Sequence, residues 1–281
     1  MARHRQLWLL IAAAGCAVAA AFVYIAVTFS SPLQAIDAAA DHGFIGLRRP
    51  ALEPFAQAVT HSVNPVPLVL MALVLVGIAV ARRRYRVAAA VVVILVGANV
   101  TTQILKPLLA HARVGEWLDH AQIAPASWPS GHSTAAMAIA LCAVLVAPAR
   151  FRPAVAAVGA VFAVAIAYSL ITLGWHWPAD VLGGFLVAAT WTLVAVAGLR
   201  EADVRWAAGS GRGAVLRLRE TLTPAAIAAA GALVVVVLAV LAKPRALDYM
   251  AAHPAALTGA FAIAALGTAL ATGLTLVLRR Y

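Results

Sequence analysis

Long unbroken apolar runs, separated by short polar stretches, dominate the chain. A helix needs about 20 apolar residues to cross roughly 30 Å of hydrocarbon. Eight segments approach that length: 7–29, 66–81, 87–105, 132–147, 154–173, 179–199, 224–242 and 255–278. The shortest need flanking residues to complete a crossing. The apolar residues do not alternate with polar ones, as the strands of a membrane barrel would require. Ala, Val, Leu and Gly are plentiful, and small residues let helices approach closely in lipid. The pattern predicts an all-α polytopic membrane protein of about eight transmembrane helices.

Composition narrows this further. The 281 residues are 64% hydrophobic and 11% charged, far from the balance of a soluble globular chain or a disordered one. The net charge of +11 would suggest a nucleic-acid partner in a soluble protein. Here topology accounts for it. With the N-terminus in the cytoplasm, 15 of the 21 Lys and Arg residues fall on inner segments and 6 on outer ones. Arg82, Arg83, Arg84 and Arg86 form the strongest inner anchor. The basic-inside bias of membrane proteins then puts both termini inside, with the chain multi-pass in the plasma (inner) membrane and no nucleic acid as partner. Residues 1–29 have the outline of a signal peptide, but the apolar run continues to Phe29, so a retained anchor is expected. Cys16 and Cys142 fall inside spans and read as small hydrophobes.

Seven of the eight histidines fall on the outer side, with only His4 inside. Histidine moves protons near neutral pH, so chemistry is expected at the extracytoplasmic face. Two outer connections stand out by length, 30–65 and 106–131. Three polar stretches gather at outer ends of spans.

In the first stretch, Asn99, Gln103 and Lys106 recur at helical spacing, and Arg113 follows Lys106 by seven residues. Two cations converging at a membrane surface suit an oxyanion such as phosphate. Taken alone, they also fit side chains that reach out to the interface.

The second stretch is Pro129-Ser130-Gly131-His132 at the start of a span. Free backbone N–H groups at a helix start, and a glycine that admits close approach, favour an anion. A Ser cap with an interfacial His is the plainer alternative.

The third stretch runs from Ser169 to Asp180 and contains His176 and Pro178. A carboxylate one turn from His176 can fix its tautomer and leave the other ring nitrogen nucleophilic. Asp180 is also the acid that a helix dipole favours in a first turn.

Together these stretches resemble the type 2 phosphatidic acid phosphatase (PAP2) superfamily of membrane lipid phosphatases. Its pattern is Lys-x6-Arg-Pro, Pro-Ser-Gly-His and Ser-Arg-x5-His-x3-Asp. The chain has Lys106-x6-Arg113, Pro129-Ser130-Gly131-His132 and Ser169-Leu170-x5-His176-x3-Asp180.

The resemblance implies a PAP2-like six-helix catalytic core over 1–199; outside it, the span and charge pattern gives a basic cytoplasmic loop over 200–223 and an extra C-terminal helix pair over 224–281. It implies His176 as nucleophile through a phosphohistidine, Asp180 as its orienting partner and His132 as the acid and then base. Lys106, Arg113, Ser130 and Gly131 would bind phosphate, with Ser169 and His111 as auxiliaries. No cofactor and no metal are implied.

The expected partners are the bilayer and a lipid phosphate: a polyprenyl carrier such as undecaprenyl diphosphate, phosphatidylglycerophosphate or phosphatidate. A lipid-linked phosphotransferase or a weakened lipid-phosphate binder or transporter are the alternative functions. Two residues depart from the pattern: Val114 replaces the Pro, and Leu170 replaces the Arg that clamps phosphate. Arg48, Arg49, His111 and Lys243 are the outer residues expected to offer a replacement charge.

Overall fold

A computed structural model describes residues 2–111, 123–205 and 245–280, and among them the regular structure is entirely helical. Ten α-helices follow in order: α1 Ala2–Phe29, α2 Ser31–Ile45, α3 Glu53–His61, α4 Pro65–Ala81, α5 Tyr85–Leu108, α6 Gly131–Val146, α7 Arg152–Thr172, α8 Pro178–Arg205, α9 Arg245–Ala252 and α10 Pro254–Val277. Seven of the apolar segments read from the sequence coincide with α1, α4, α5, α6, α7, α8 and α10. The segment 224–242, the basic loop and Arg113 lie outside the described residues.

Five helices, α1, α5, α7, α8 and α10, are long and apolar enough to cross a membrane, and α3 with α4 forms a sixth candidate, bent by 50° at the break. The apolar α6 is shorter, at 16 residues. The chain is therefore a multi-pass membrane protein with a helical bundle.

The connection 30–65 contains two helices rather than an irregular outer loop. Pro32 and Pro54 sit in the first turns of α2 and α3, where a missing N–H costs nothing. Helix α2 also hides a polar face: Asp37 and Asp41, one turn apart, are both buried.

The bundle is built around α8, which packs against α1, α5, α6 and α10. Small residues make this possible. A side chain at Gly184 on α8 would strike the Ser130 carbonyl at 2.7 Å and the Thr134 amide nitrogen at 3.0 Å, so this glycine sets how near α8 lies to the start of α6. Ala135, Ala136, Ala138 and Ala140 on α6, with Ala160, Ala163 and Ala167 on α7, are buried in the same core. The reverse holds on α1, where Trp8, Val18 and Phe22 stand exposed, as lipid-facing side chains do.

The two ends of the bundle differ. At one end, arginines bind the carbonyls that end the helices. Arg82 and Arg84 both donate to the Val146 carbonyl, each at 2.9 Å. Arg152 reaches the Leu278 carbonyl and Arg200 the Val277 carbonyl, both at 2.8 Å. A cation there satisfies orphan acceptors and opposes the negative end of the helix dipole.

The other end gathers the starts of α4, α6, α8 and α10 with the ends of α1, α5 and α7. There Tyr24 donates to the Leu109 carbonyl at 3.2 Å, and Tyr249 to the Gly43 carbonyl at 2.6 Å. Burial raises the pKa of the Tyr249 hydroxyl, so it stays a neutral donor.

Candidate active site

The candidate site lies at the arginine-poor end, where three stretches separated in sequence are tied together through backbone. The Ser130 N–H donates to the Asp180 carbonyl at 2.9 Å, linking the start of α6 to the first turn of α8. Gly174 takes a positive φ of 69° after α7, a conformation that favours glycine, and so turns the chain toward α8. Four residues later Pro178 opens α8.

His176 is 7% exposed and Asp180 wholly buried. The His176 Nδ1 donates to Asp180 Oδ2 at 3.3 Å. The same carboxylate oxygen accepts from the Trp177 backbone N–H at 3.1 Å. Asp180 is thus held from two sides, and with its proton on Nδ1, His176 keeps the lone pair of Nε2 available for attack. The start of α8 has a further anchor that the sequence reading passed over. Buried Asp37 on α2 accepts from the Ala179 N–H at 3.0 Å, filling the capping role at a helix start.

His132 lies in the first turn of α6. Its ring centroid is 6.4 Å from that of Trp175, which in turn is 6.0 Å from His61. His61, Lys106 and His176 all lie within electrostatic range of His132, and Lys106 within range of Asp180. The Nε2 of His132 donates to Asn64 Oδ1 at 3.0 Å. Asn64, His61, Trp175 and Asp37 are therefore members of this neighbourhood that sequence reasoning missed.

Lys106, Gly131, His132, His176 and Asp180 thus gather at one end of the bundle. Gly131 has open surroundings: an added Cβ would meet nothing nearer than the Gln103 amide nitrogen at 3.8 Å. Ser130 takes a different place from the expected phosphate contact. It is wholly buried, and its Oγ accepts from the Ser133 N–H at 3.3 Å and the Ser133 hydroxyl at 3.0 Å. This is a capping role, so of the Ser-Gly pair the open backbone at Gly131 is the better placed to meet an anion.

Ser169 is half-buried in the last turn of α7. His111 sits beside Phe29, with ring centroids 6.3 Å apart, after the end of α5.

Leu170 is fully buried in the apolar core. Of the residues expected to replace the missing cation, Arg48 is engaged with Glu53 at 2.6 and 3.0 Å. Arg49 donates to the carbonyls of Gly46 and Arg48 at 3.0 and 2.9 Å. Both are committed to the turn between α2 and α3. Lys243 lies outside the described residues.

Residues 86–202 match the PAP2 superfamily. The fold is similar to the crystal structure described as the first transmembrane PAP2 type phosphatidylglycerolphosphate phosphatase from Bacillus subtilis. The TM-score is 0.57 at 20% sequence identity, over 69% of this chain and 98% of that one. No curated protein matches the chain.

Proposed function

We propose, from the match of residues 86–202 to the PAP2 superfamily, a membrane phosphatase that hydrolyses the phosphomonoester or diphosphate of a lipid at the outer leaflet. The observation that carries this reading is the His176–Asp180 pair, buried and joined through backbone to the helix start that bears His132.

In the first half-reaction, His176 Nε2 attacks phosphorus in line. A nitrogen–phosphorus bond forms, and the bond from phosphorus to the departing lipid oxygen breaks. With the anionic phosphate bound beside it, His132 is imidazolium and gives its proton to that oxygen. Asp180 stabilises the positive charge that His176 acquires. In the second half, neutral His132 takes a proton from water as the water oxygen attacks phosphorus. The nitrogen–phosphorus bond then breaks, releasing phosphate and restoring both rings.

Lys106 and the Gly131 N–H supply charge and a donor for the phosphoryl oxygens, and Arg113 is the second cation of this set. Positioning and charge stabilisation carry most of phosphoryl-transfer catalysis. The outer-leaflet reading is supported by the arginines at the opposite end of the bundle, since the basic-inside bias favours that end for the cytoplasm.

The test is phosphate release by purified protein in detergent from phosphatidate, phosphatidylglycerophosphate and undecaprenyl diphosphate, each assayed separately. Release from at least one, abolished in His176→Ala, is the expected result. Release that persists in His176→Ala overturns the nucleophile assignment. The buried, uncharged Leu170 favours one competing reading, a lipid-phosphate binder that does not turn over. Saturable binding of the same lipids without release, equal in wild type and His176→Ala, would select it.

A further inference from the structure

Asn64 opens α4, and asparagine is among the preferred residues for a helix N-cap. Its side chain makes no capping hydrogen bond. The reason is written in the next three residues. A cap oxygen accepts from the second or third N–H of the helix, and here the third residue is Pro67, which has none, so only the Val66 N–H is left to cap. The capping demand is small, so the amide is free for another use.

The backbone of Asn64 is nevertheless fixed on both sides. Its N–H donates to the His61 carbonyl at 3.0 Å, and its carbonyl accepts from Leu68 N–H at 2.9 Å. The 50° break between α3 and α4 turns this anchored residue toward the site. Its Oδ1 there meets His132 Nε2, 68 residues away in sequence, at 3.0 Å. Ser130, the cap of α6, does the opposite and spends its oxygen on its own helix.

We infer that Asn64 is a positioning residue for His132: its amide oxygen holds a proton on Nε2 and fixes the plane of the ring. An amide oxygen only accepts, so with Oδ1 turned to the ring it is Nε2 that carries the proton. Nδ1 is then the nitrogen whose proton comes and goes, given to the leaving oxygen and regained from water. The acceptor is neutral, so unlike a carboxylate it does not repel an incoming phosphate or compete for Lys106. The claim about the ring stands on geometry alone; its consequence for turnover rests on the phosphatase reading above.

Two measurements test it. In full-length protein labelled with 15N-histidine in detergent, the ring signals that disappear in His132→Ala belong to His132. They should show the Nε2–H tautomer in wild type and a mixture of tautomers in Asn64→Ala. On whichever of the three lipids the wild type turns over, Asn64→Ala should lower kcat by about ten- to a hundredfold while KM stays within about twofold. Asn64→Asp, which keeps an acceptor but adds a charge, should restore the Nε2–H tautomer while leaving kcat low.

An unchanged His132 tautomer in Asn64→Ala overturns the inference, and so does a changed tautomer with unchanged kcat. If the wild type releases no phosphate from any of the lipids, the phosphatase reading fails, while the ring signals still decide whether Asn64 holds His132.

Discussion

The two ends of the bundle solve the same problem, unsatisfied backbone groups at helix termini, with opposite chemistry. At one end Arg82, Arg84, Arg152 and Arg200 spend their guanidinium groups on the last carbonyls of α6 and α10 and the one that follows α10. At the other end the helix starts are served by small acceptors. Asp37 serves Ala179, Ser130 serves Ser133, and the Trp177 carbonyl serves Asp180. The difference leaves the imidazoles free of structural duty. His176 and His132 each keep one ring nitrogen bonded to a fixed partner, Asp180 and Asn64, and none of the helix starts consumes the other. One end is built to hold, and the other to hold and still react.

The sharpest way to break this contrast is at the Asp180 carboxylate. Asp180→Asn offers His176 an amide instead of a charge, and the amide can present its NH2 face to Nδ1 and reverse the tautomer. Phosphate release should fall by about 10³-fold or more, by comparison with the equivalent change at other carboxylate–histidine pairs. The fold should survive, because the substitution is isosteric and the Asp180 backbone keeps its bonds to Ser130 N–H and the Trp177 carbonyl. Single-turnover phosphate release together with thermal unfolding in detergent separates the two effects. A loss under tenfold would mean that the pair does not carry the attack.

At the arginine end a change should cost stability and spare chemistry. Arg152 is 3% exposed, and its guanidinium reaches the carbonyl that follows α10. Arg152→Met keeps the apolar stem and removes the donor. The expected loss is about 2 kcal/mol, the scale of a hydrogen bond to a charged group. Thermal unfolding reads this as a lower Tm, with specific activity per folded molecule unchanged. A fall in kcat without a fall in Tm would show that the two ends communicate.

Much of this was legible in the sequence, and the rest was hidden for a physical reason. Apolar length alone marks a span, so α1, α5, α7, α8 and α10 were visible as such. Lys106, Gly131, His132, His176 and Asp180 were visible because each sits at a helix end, where local spacing sets its place. Helices α2 and α3 were missed, since Asp37 and Asp41 look like loop acids until a partner helix covers them. The contacts of Asn64 with His132 and of Asp37 with Ala179 span 68 and 142 residues, and no local pattern encodes them. Leu170 shows the limit from the other side. The sequence marks a missing charge, and the structure shows an apolar slot sealed into the core.

The smallest effect tests whether the arginine end is redundant by design. Arg82 and Arg84 donate to one acceptor, the Val146 carbonyl, and both distances are 2.9 Å. Removing either leaves the other in place, so Arg82→Ala alone should cost no more than about 0.5 kcal/mol, the range of an ordinary surface change. The double variant strips the carbonyl of both donors and should lose about 1 kcal/mol more than the sum of the single changes. A double-mutant cycle on thermal unfolding reads that difference directly. Strict additivity would mean that each arginine acts through lipid or solvent, and that the shared carbonyl is incidental to stability. A coupling of the expected size would locate the end of α6 as a point held twice, and set it against the start of the same helix, where Ser130 provides the cap and Gly131 stays open.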